Sequence, residues 1–268
     1  MSDPTHARRA SSFGARAAAY AQHRPDYPRE AIEWGLSGTS GTPRRVLDLG
    51  AGTGKLTLGL TALGLDVTAV EPDPEMRAEL ERAVPSAKSL AGQAERIPLA
   101  DAAVDAVFVG QAFHWFDVPD AMTEIGRVLR PGGVCVPMWN YEDESVPWVA
   151  EFTTLGRDGA RRPASVENMR EVTHPAFEPF ESDRFRHTQR RTAESLLETI
   201  ATYSLVIVSA PEESAALLAR LRQFLSSNPA TANGEFDLPL ITTVLRARRR
   251  RGNFALDLDQ SGGSTLGS

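Results

Sequence analysis

The chain is short of the residue types on which several function classes depend. Its single cysteine, Cys135, rules out a disulfide within its 268 residues. Cys135 lies in the apolar run Val134-Cys135-Val136 and reads as a small buried hydrophobe, not a nucleophile. The five histidines are scattered, and none stands at the spacing of a metal site, so no metal is expected. No apolar stretch approaches the ~18 residues of a membrane span, which argues against a membrane partner. The stretch from Met1 to Gly14 is polar and basic and has no apolar segment of the secretory kind, so the cytoplasm is the expected location. Positive charge is also in deficit, with 29 Lys and Arg against 35 Asp and Glu and a net charge of −6. Gripping a nucleic-acid backbone takes clustered cations, so no nucleic acid is expected. The one basic cluster, Arg246 and Arg248 to Arg251, directly follows a strand-like segment and reads as the solvated end of that strand.

What is present is an ordinary globular composition, 41% hydrophobic and 24% charged, at a length that one core can serve. From Arg45 onward, apolar runs of strand length alternate with helical spacing. Strands are predicted over 45–49, 65–70, 87–90, 104–109, 134–139, 184–190 and 238–247. Helices are predicted over 14–22, 28–36, 55–63, around Met76 to Val84, around Ala121 to Leu129, and over 192–203 and 212–226. Continuous apolar strands in βα alternation mean a mainly parallel sheet covered on both faces. The fold class is therefore α/β: a doubly wound, Rossmann-like, mostly parallel seven-stranded sheet with helices on both faces. Pro137 is awkward in a central strand, because proline lacks a ladder donor, so a bulge or early strand end is expected there. The chain divides into an arm with cap helices over 1–37, a catalytic domain over 38–251 and a flexible Gly- and Ser-rich tail over 252–268. An insertion near the active site is expected over about 141–180. A monomer and a homodimer are both compatible with this composition.

The segment Val46-Leu47-Asp48-Leu49-Gly50-Ala51-Gly52-Thr53-Gly54-Lys55 carries the strongest chemical signal. A strand feeds a glycine turn, and the turn feeds a helix. Glycines let the backbone turn tightly and let a ligand approach the main chain. Ligands of open α/β sheets sit at the carboxyl ends of the strands, so this turn should floor a pocket. A dinucleotide fingerprint would need glycine where Lys55 stands. A P-loop would need one more residue between Gly50 and Gly54 and a hydroxyl residue in place of Leu56. Glu71, at the end of the second strand, can accept hydrogen bonds from both hydroxyls of a ribose. Gln111 to Trp115 must emerge at the same edge from the fourth strand, with Gln111 nearest the cofactor and His114 further out on the acceptor side.

The G-x-G-x-G turn preceded by Asp48 resembles motif I of the class I S-adenosylmethionine-dependent methyltransferases. Three further segments strengthen that resemblance. Gly92-Gln93-Ala94-Glu95, with Ile97-Pro98-Leu99, is similar to the family's adenine-binding segment, with Gln93 where the family has an acid. Gln111-Ala112-Phe113-His114-Trp115 is similar to its polar-then-His-Trp segment, and Leu129-Arg130-Pro131-Gly132-Gly133 to its structural turn. Phe13, Tyr20, Arg24, Pro25, Tyr27 and Pro28 resemble the lead-in of the branch that contains trans-aconitate methyltransferase-like proteins. The resemblance is good over residues 13–140 and weaker beyond.

The resemblance implies S-adenosylmethionine as cofactor and a small molecule as methyl acceptor. It implies a cofactor site built from Asp48, Gly50, Ala51 and Gly52, from Glu71 with Pro72 and Met76, from Gln93, Ala94 and Glu95, and from Gln111. Tyr20 and Arg24 are expected to face the cofactor from a lid over 13–28. His114 is the candidate general base, required only for hydroxyl, phenol or acidic-carbon acceptors. Methylation at oxygen, nitrogen or carbon stays open, with a carboxylate or a natural-product intermediate as acceptor. The alternatives are a cofactor-binding module without transfer, a cyclase on the same fold and an NAD-dependent oxidoreductase.

Overall fold

The computed structural model describes residues 24–157, 171–201 and 210–251. Tyr20, the predicted helix over 14–22 and the tail over 252–268 lie outside the described residues. The elements, in chain order, are α1 (Arg29–Ser37), β1 (Arg45–Leu49), α2 (Lys55–Ala62), β2 (Asp66–Val70), α3 (Pro74–Ala83), β3 (Lys88–Leu90) and β4 (Val104–Gly110). A short 3-10 turn (Phe113–Trp115) follows, then α4 (Val118–Val128), β5 (Leu129–Glu142), α5 (Pro147–Arg157), β6 (Glu181–Thr192), α6 (Ala193–Ala201), α7 (Pro211–Ser227) and β7 (Glu235–Arg248).

The seven strands form one sheet in the order β3-β2-β1-β4-β5-β7-β6. β1 to β5 pair in parallel, and β7 runs antiparallel between β5 and β6. Chain order reverses at β1, because β2 lies on one side of it and β4 on the other. That reversal opens a crevice beyond the carboxyl ends of β1 and β4. Successive side chains of a strand point to opposite faces, so the apolar residues of both strands are buried on both sides of the sheet. Leu47, Leu49, Val107 and Val109 pack on one face with Met122 and Ile125 of α4. Val46, Ala106 and Phe108 pack on the other with Ile32 of α1 and Leu56 and Leu60 of α2. Helix starts are set locally. The Asp73 carboxylate accepts from the Glu75 and Met76 amides, and Pro74 opens α3. Asp117 accepts from the Asp120 amide at the start of α4.

Three expectations need correction. The Pro131-Gly132-Gly133 turn does not precede β5 but lies inside it. Val104 pairs with Leu129 and Ala106 with Val134, so the extra residues bulge out of the ladder, with Gly132 at φ 78°. Pro137 neither bulges nor ends the strand. It pairs with Val109 in unbroken register, and β5 runs on to Glu142. The arginines at and beyond the end of β7 are not simply solvated. Arg246 donates to the Trp34 carbonyl and the Ser37 hydroxyl at the end of α1, pairs with Glu181, and lies 4.1 Å over the Trp34 ring. Arg248 donates to the Gly38 carbonyl, Arg249 to that of Leu129 and Arg250 to that of Phe177. Helix ends and bulges leave carbonyls without ladder partners, and guanidinium forks supply the missing donors.

β6 and β7 extend further than their apolar patterns predict. Thr192 pairs with Glu235 at their far end, whereas β5 stops opposite Leu240. The overhang projects past the carboxyl edge of β5. Phe236, Leu238 and Leu240 of that region pack with Phe152 of α5, Leu196 and Leu197 of α6, and Leu221 and Leu225 of α7. This is a separate core that stands at the ligand edge of the sheet. Within 141–180 the described residues are thus the end of β5, the connection 143–146, helix α5 and the stretch 171–180, whose Phe177 is buried against the α4 face. Among the described residues no helix is long and apolar enough to cross a membrane.

Candidate active site

The turn after β1 bends because its glycines take left-handed backbone. Gly50, Gly52 and Gly54 have φ of 70°, 55° and 89°, a region that side chains with a Cβ rarely enter. Gly50 must also be bare for a steric reason: a Cβ there would lie 2.8 Å from the Ala112 Cβ. At Gly52 the surroundings are open, with only the Met76 sulfur, 3.7 Å away, near an added Cβ. The turn floors a cavity, as its position at the topological reversal requires. Asp48, Gly50, Ala51 and Gly52 line the cavity, together with Arg24 and Gln111. These six predicted residues therefore come together around one space.

Two buried carboxylates hold the turn. Asp48 is fully buried, and its Oδ2 accepts the Thr57 hydroxyl at 2.6 Å. Its Oδ1 is buried with no hydrogen-bond partner. Burial pushes the Asp48 carboxyl up to about 7, aided by the negative charge of Glu71 and opposed by the Thr57 hydrogen bond. Glu71 stands at the end of β2. Its carboxylate accepts the amides of Gly52 at 2.8 Å and of Asp73 at 2.9 Å. Burial raises its pKa, against those two backbone hydrogen bonds. Each carboxylate oxygen has two lone pairs, so Glu71 keeps acceptor capacity while fixing the Gly52 amide.

The other predicted residues stand apart from the cavity wall. Pro72 is exposed, and Met76 is buried behind Gly52. Gln93 is exposed and bridges to Arg96, and Ala94 is buried in the core. The Glu95 carboxylate accepts the Asp117 amide at 2.9 Å, where it supports the start of α4. His114 is exposed on the 3-10 turn beyond β4, its ring centroid 4.8 Å from that of Trp115. That is the carboxyl edge of the sheet, yet the imidazole is not among the groups that line the cavity.

Sequence reasoning missed Asn140, which lines the cavity from β5 and is 7% exposed. Its backbone carbonyl accepts the Gln111 side-chain amide at 2.9 Å. Its own amide nitrogen donates to the carbonyls of Asp26 at 3.1 Å and Pro25 at 3.4 Å. The available signal was a carboxamide placed just after the apolar run Val134 to Trp139, at the strand edge where ligands bind. Lys55 also lines the cavity, and its ammonium lies 3.0 Å from the Asp26 carboxylate. Gln111 is one of two non-glycine residues with positive φ among the described residues, at 57°. Such strain persists where surrounding structure imposes it, often beside a ligand.

This geometry suits a nucleoside-type cofactor. The glycine turn exposes bare main chain, and Asp48, which lines the cavity, keeps a buried oxygen without a hydrogen-bond partner. Comparison with known proteins points the same way. A methyltransferase domain family matches residues 47–136. An uncharacterized methyltransferase of Mycobacterium tuberculosis is 45% identical over 88% of this chain and 95% of its own. A malonyl-[acyl-carrier protein] O-methyltransferase of Enterobacter lignolyticus is 30% identical over 75% of this chain and 72% of its own. A structure described as a candidate type II methyltransferase from Anaeromyxobacter dehalogenans superimposes with a TM-score of 0.68 at 28% identity, covering 84% of this chain and 97% of that one. Glycine turn, sheet order and relatives converge, and the chain belongs to the class I S-adenosylmethionine-dependent methyltransferases.

Proposed function

We propose that the chain binds S-adenosylmethionine over the Gly50–Gly54 turn and methylates a small molecule at a carboxylate oxygen. Bound there, the cofactor supplies a methyl group already activated by its sulfonium. Gly50, Ala51 and Gly52 offer main chain to it, Glu71 offers carboxylate oxygens to ribose hydroxyls, and Gln111 and Arg24 close on it from β4 and from the segment before α1. Met76, Pro72 and the Gln93-Ala94-Glu95 loop form the outer border of the same site. The chain's remaining task is alignment and exclusion of water, which can lower a barrier by roughly 7–11 kcal/mol.

The single observation that carries the acceptor class is the make-up of the cavity wall. Among the described residues, Arg24 stands on it and no histidine does. A carboxylate is ionised at neutral pH and needs no general base, whereas a hydroxyl does. A cation at the wall would attract such an acceptor and hold it. A relative named malonyl-[acyl-carrier protein] O-methyltransferase adds support, because a malonyl group joined to a carrier through one carboxyl ends in a free carboxylate. The reading is tested with labelled S-adenosylmethionine and a panel of mono- and dicarboxylic acids, phenols and amines. The expected product is a methyl ester, recognised by mass and by release of methanol in mild alkali. Products confined to phenol ethers or methylamines would overturn it.

A further inference from the structure

One chain of hydrogen bonds crosses the antiparallel half of the sheet and ends at the cavity. It begins at His187 on β6, passes through Thr242 on β7 and reaches Asn140 on β5. The His187 Nε2 lies 3.0 Å from the Thr242 hydroxyl, and that hydroxyl donates to the Asn140 Oδ1 at 2.5 Å. The Asn140 amide then donates to the Asp26 and Pro25 carbonyls. Thr242 is completely buried.

The proton positions follow from valence. The Asp26 and Pro25 carbonyls can only accept, so they face the NH₂ of Asn140, and its Oδ1 must face Thr242. Thr242 has one hydroxyl proton, which goes to that Oδ1, so the histidine must donate to Thr242 through Nε2–H. Every donor therefore points one way, from β6 toward the segment before α1. That segment carries Arg24 onto the cavity wall. It also carries Tyr27, whose hydroxyl packs against Gly110 at the end of β4. The Asn140 backbone carbonyl meanwhile holds the side chain of Gln111, whose backbone is strained.

We infer that Asn140 is a positioning residue. It clamps the Arg24–Tyr27 segment and the Gln111 side chain onto the cofactor pocket, and its orientation is set from β6 and β7 through Thr242 and His187. The inference rests on the cofactor site proposed above. The cavity is thereby joined to the two strands whose overhang carries the second core. Flipping the Asn140 amide, or replacing it by a carboxylate, sets oxygen against two carbonyl oxygens and removes the clamp.

The test uses the full chain with 3-fluorotyrosine incorporated and the Tyr27 resonance assigned by Tyr27→Phe. Three variants are compared with wild type: Asn140→Asp, Thr242→Val and Thr242→Ser. In the absence of any ligand, Asn140→Asp should move the Tyr27 fluorine signal toward that of a solvent-exposed tyrosine. Thr242→Val should move it part of the way, and Thr242→Ser should restore the wild-type position. Affinity for S-adenosylhomocysteine, measured by calorimetry, should fall about tenfold or more in Asn140→Asp and stay near wild type in Thr242→Ser. If the fluorine signal moves while wild type itself fails to bind S-adenosylhomocysteine, the clamp stands and the cofactor reading falls. An unmoved Tyr27 signal in folded Asn140→Asp and Thr242→Val overturns the clamp. Should Asn140→Asp not fold, the contrast between Thr242→Val and Thr242→Ser decides.

Discussion

The two ends of the sheet are built on different terms. β1 to β4 are short, from three to seven residues, and β1 and β4 have apolar residues covered on both faces. β6 and β7 are 12 and 14 residues long. β6 is an edge strand that alternates exposed with half-buried positions and carries Arg184, Arg186 and Arg190 outward. The short strands end at glycines and carboxylates, and their chemistry depends on backbone shape. The long strands outrun the sheet and build a second core from α5, α6 and α7. A parallel strand covered on both sides leaves no freedom to wander, whereas an antiparallel pair can extend as far as a partner core will cover it. On the proposed function, cofactor binding resides in the β1–β4 end and the overhanging core supports the acceptor side.

Substitution in the glycine turn is the strongest way to test that division. Gly50→Val meets both a steric clash with Ala112 and an unfavourable positive φ. It should lower stability by about 2–4 kcal/mol and abolish S-adenosylhomocysteine binding. Gly52→Val, with space around its Cβ, should retain most of the fold and still lose binding, because its branches enter the cavity. Thermal unfolding and calorimetry separate the two. Wild-type affinity in either variant would break the assignment of the turn.

The mirror-image prediction concerns the overhanging core. Leu221→Ala removes a fully buried side chain of α7 and should cost about 2–5 kcal/mol. S-adenosylhomocysteine affinity should nevertheless stay within about twofold of wild type, since 1.4 kcal/mol is needed for a factor of ten. A large loss of cofactor affinity in the folded variant would mean that the two ends are not separable. Glu71→Ala should show the opposite pattern. Loss of a charge-assisted acceptor costs about 1.5–3 kcal/mol per bond, so S-adenosylhomocysteine binding should weaken more than tenfold, while the melting temperature falls less than in Leu221→Ala. An unchanged dissociation constant would place Glu71 outside the cofactor site.

The smallest effect is expected at His114. The imidazole is exposed and off the cavity wall, so His114→Ala should turn over at close to the wild-type rate with a carboxylate acceptor. A fall of ~10²–10⁴-fold in kcat would instead mark it as the general base and shift the acceptor to a hydroxyl or phenol.

The β1–α2 turn was legible because its requirements are local. Glycine takes those φ values at no steric cost, and a strand-turn-helix of that pattern announces itself in adjacent residues. Asp48, Glu71 and Gln111 were legible for a related reason: each sits at or near the carboxyl end of a strand whose apolar run can be read directly. Asn140 was not, because its role depends on Thr242, His187 and the Asp26 carbonyl, which are far apart in the chain. Glu95 was read toward the cofactor; that its carboxylate also supports the start of α4 is a contact no local pattern reveals. The arginines at and beyond the end of β7 looked solvated for the same reason, since the carbonyls they reach lie at the end of α1, the start of β5 and the loop before β6.

By itself, then, the sequence determined the α/β alternation, the sheet's composition, the glycine turn and the carboxylate beside it. Those features follow from periodicity and from backbone geometry, which act over a few residues. Tertiary structure alone decided how far β6 and β7 extend, where the second core forms, and which of the candidate residues share the cavity. Those outcomes depend on burial and hydrogen bonding between segments up to more than two hundred residues apart, such as Arg246 on the Trp34 carbonyl. Pairings of that kind leave no periodic trace in the chain.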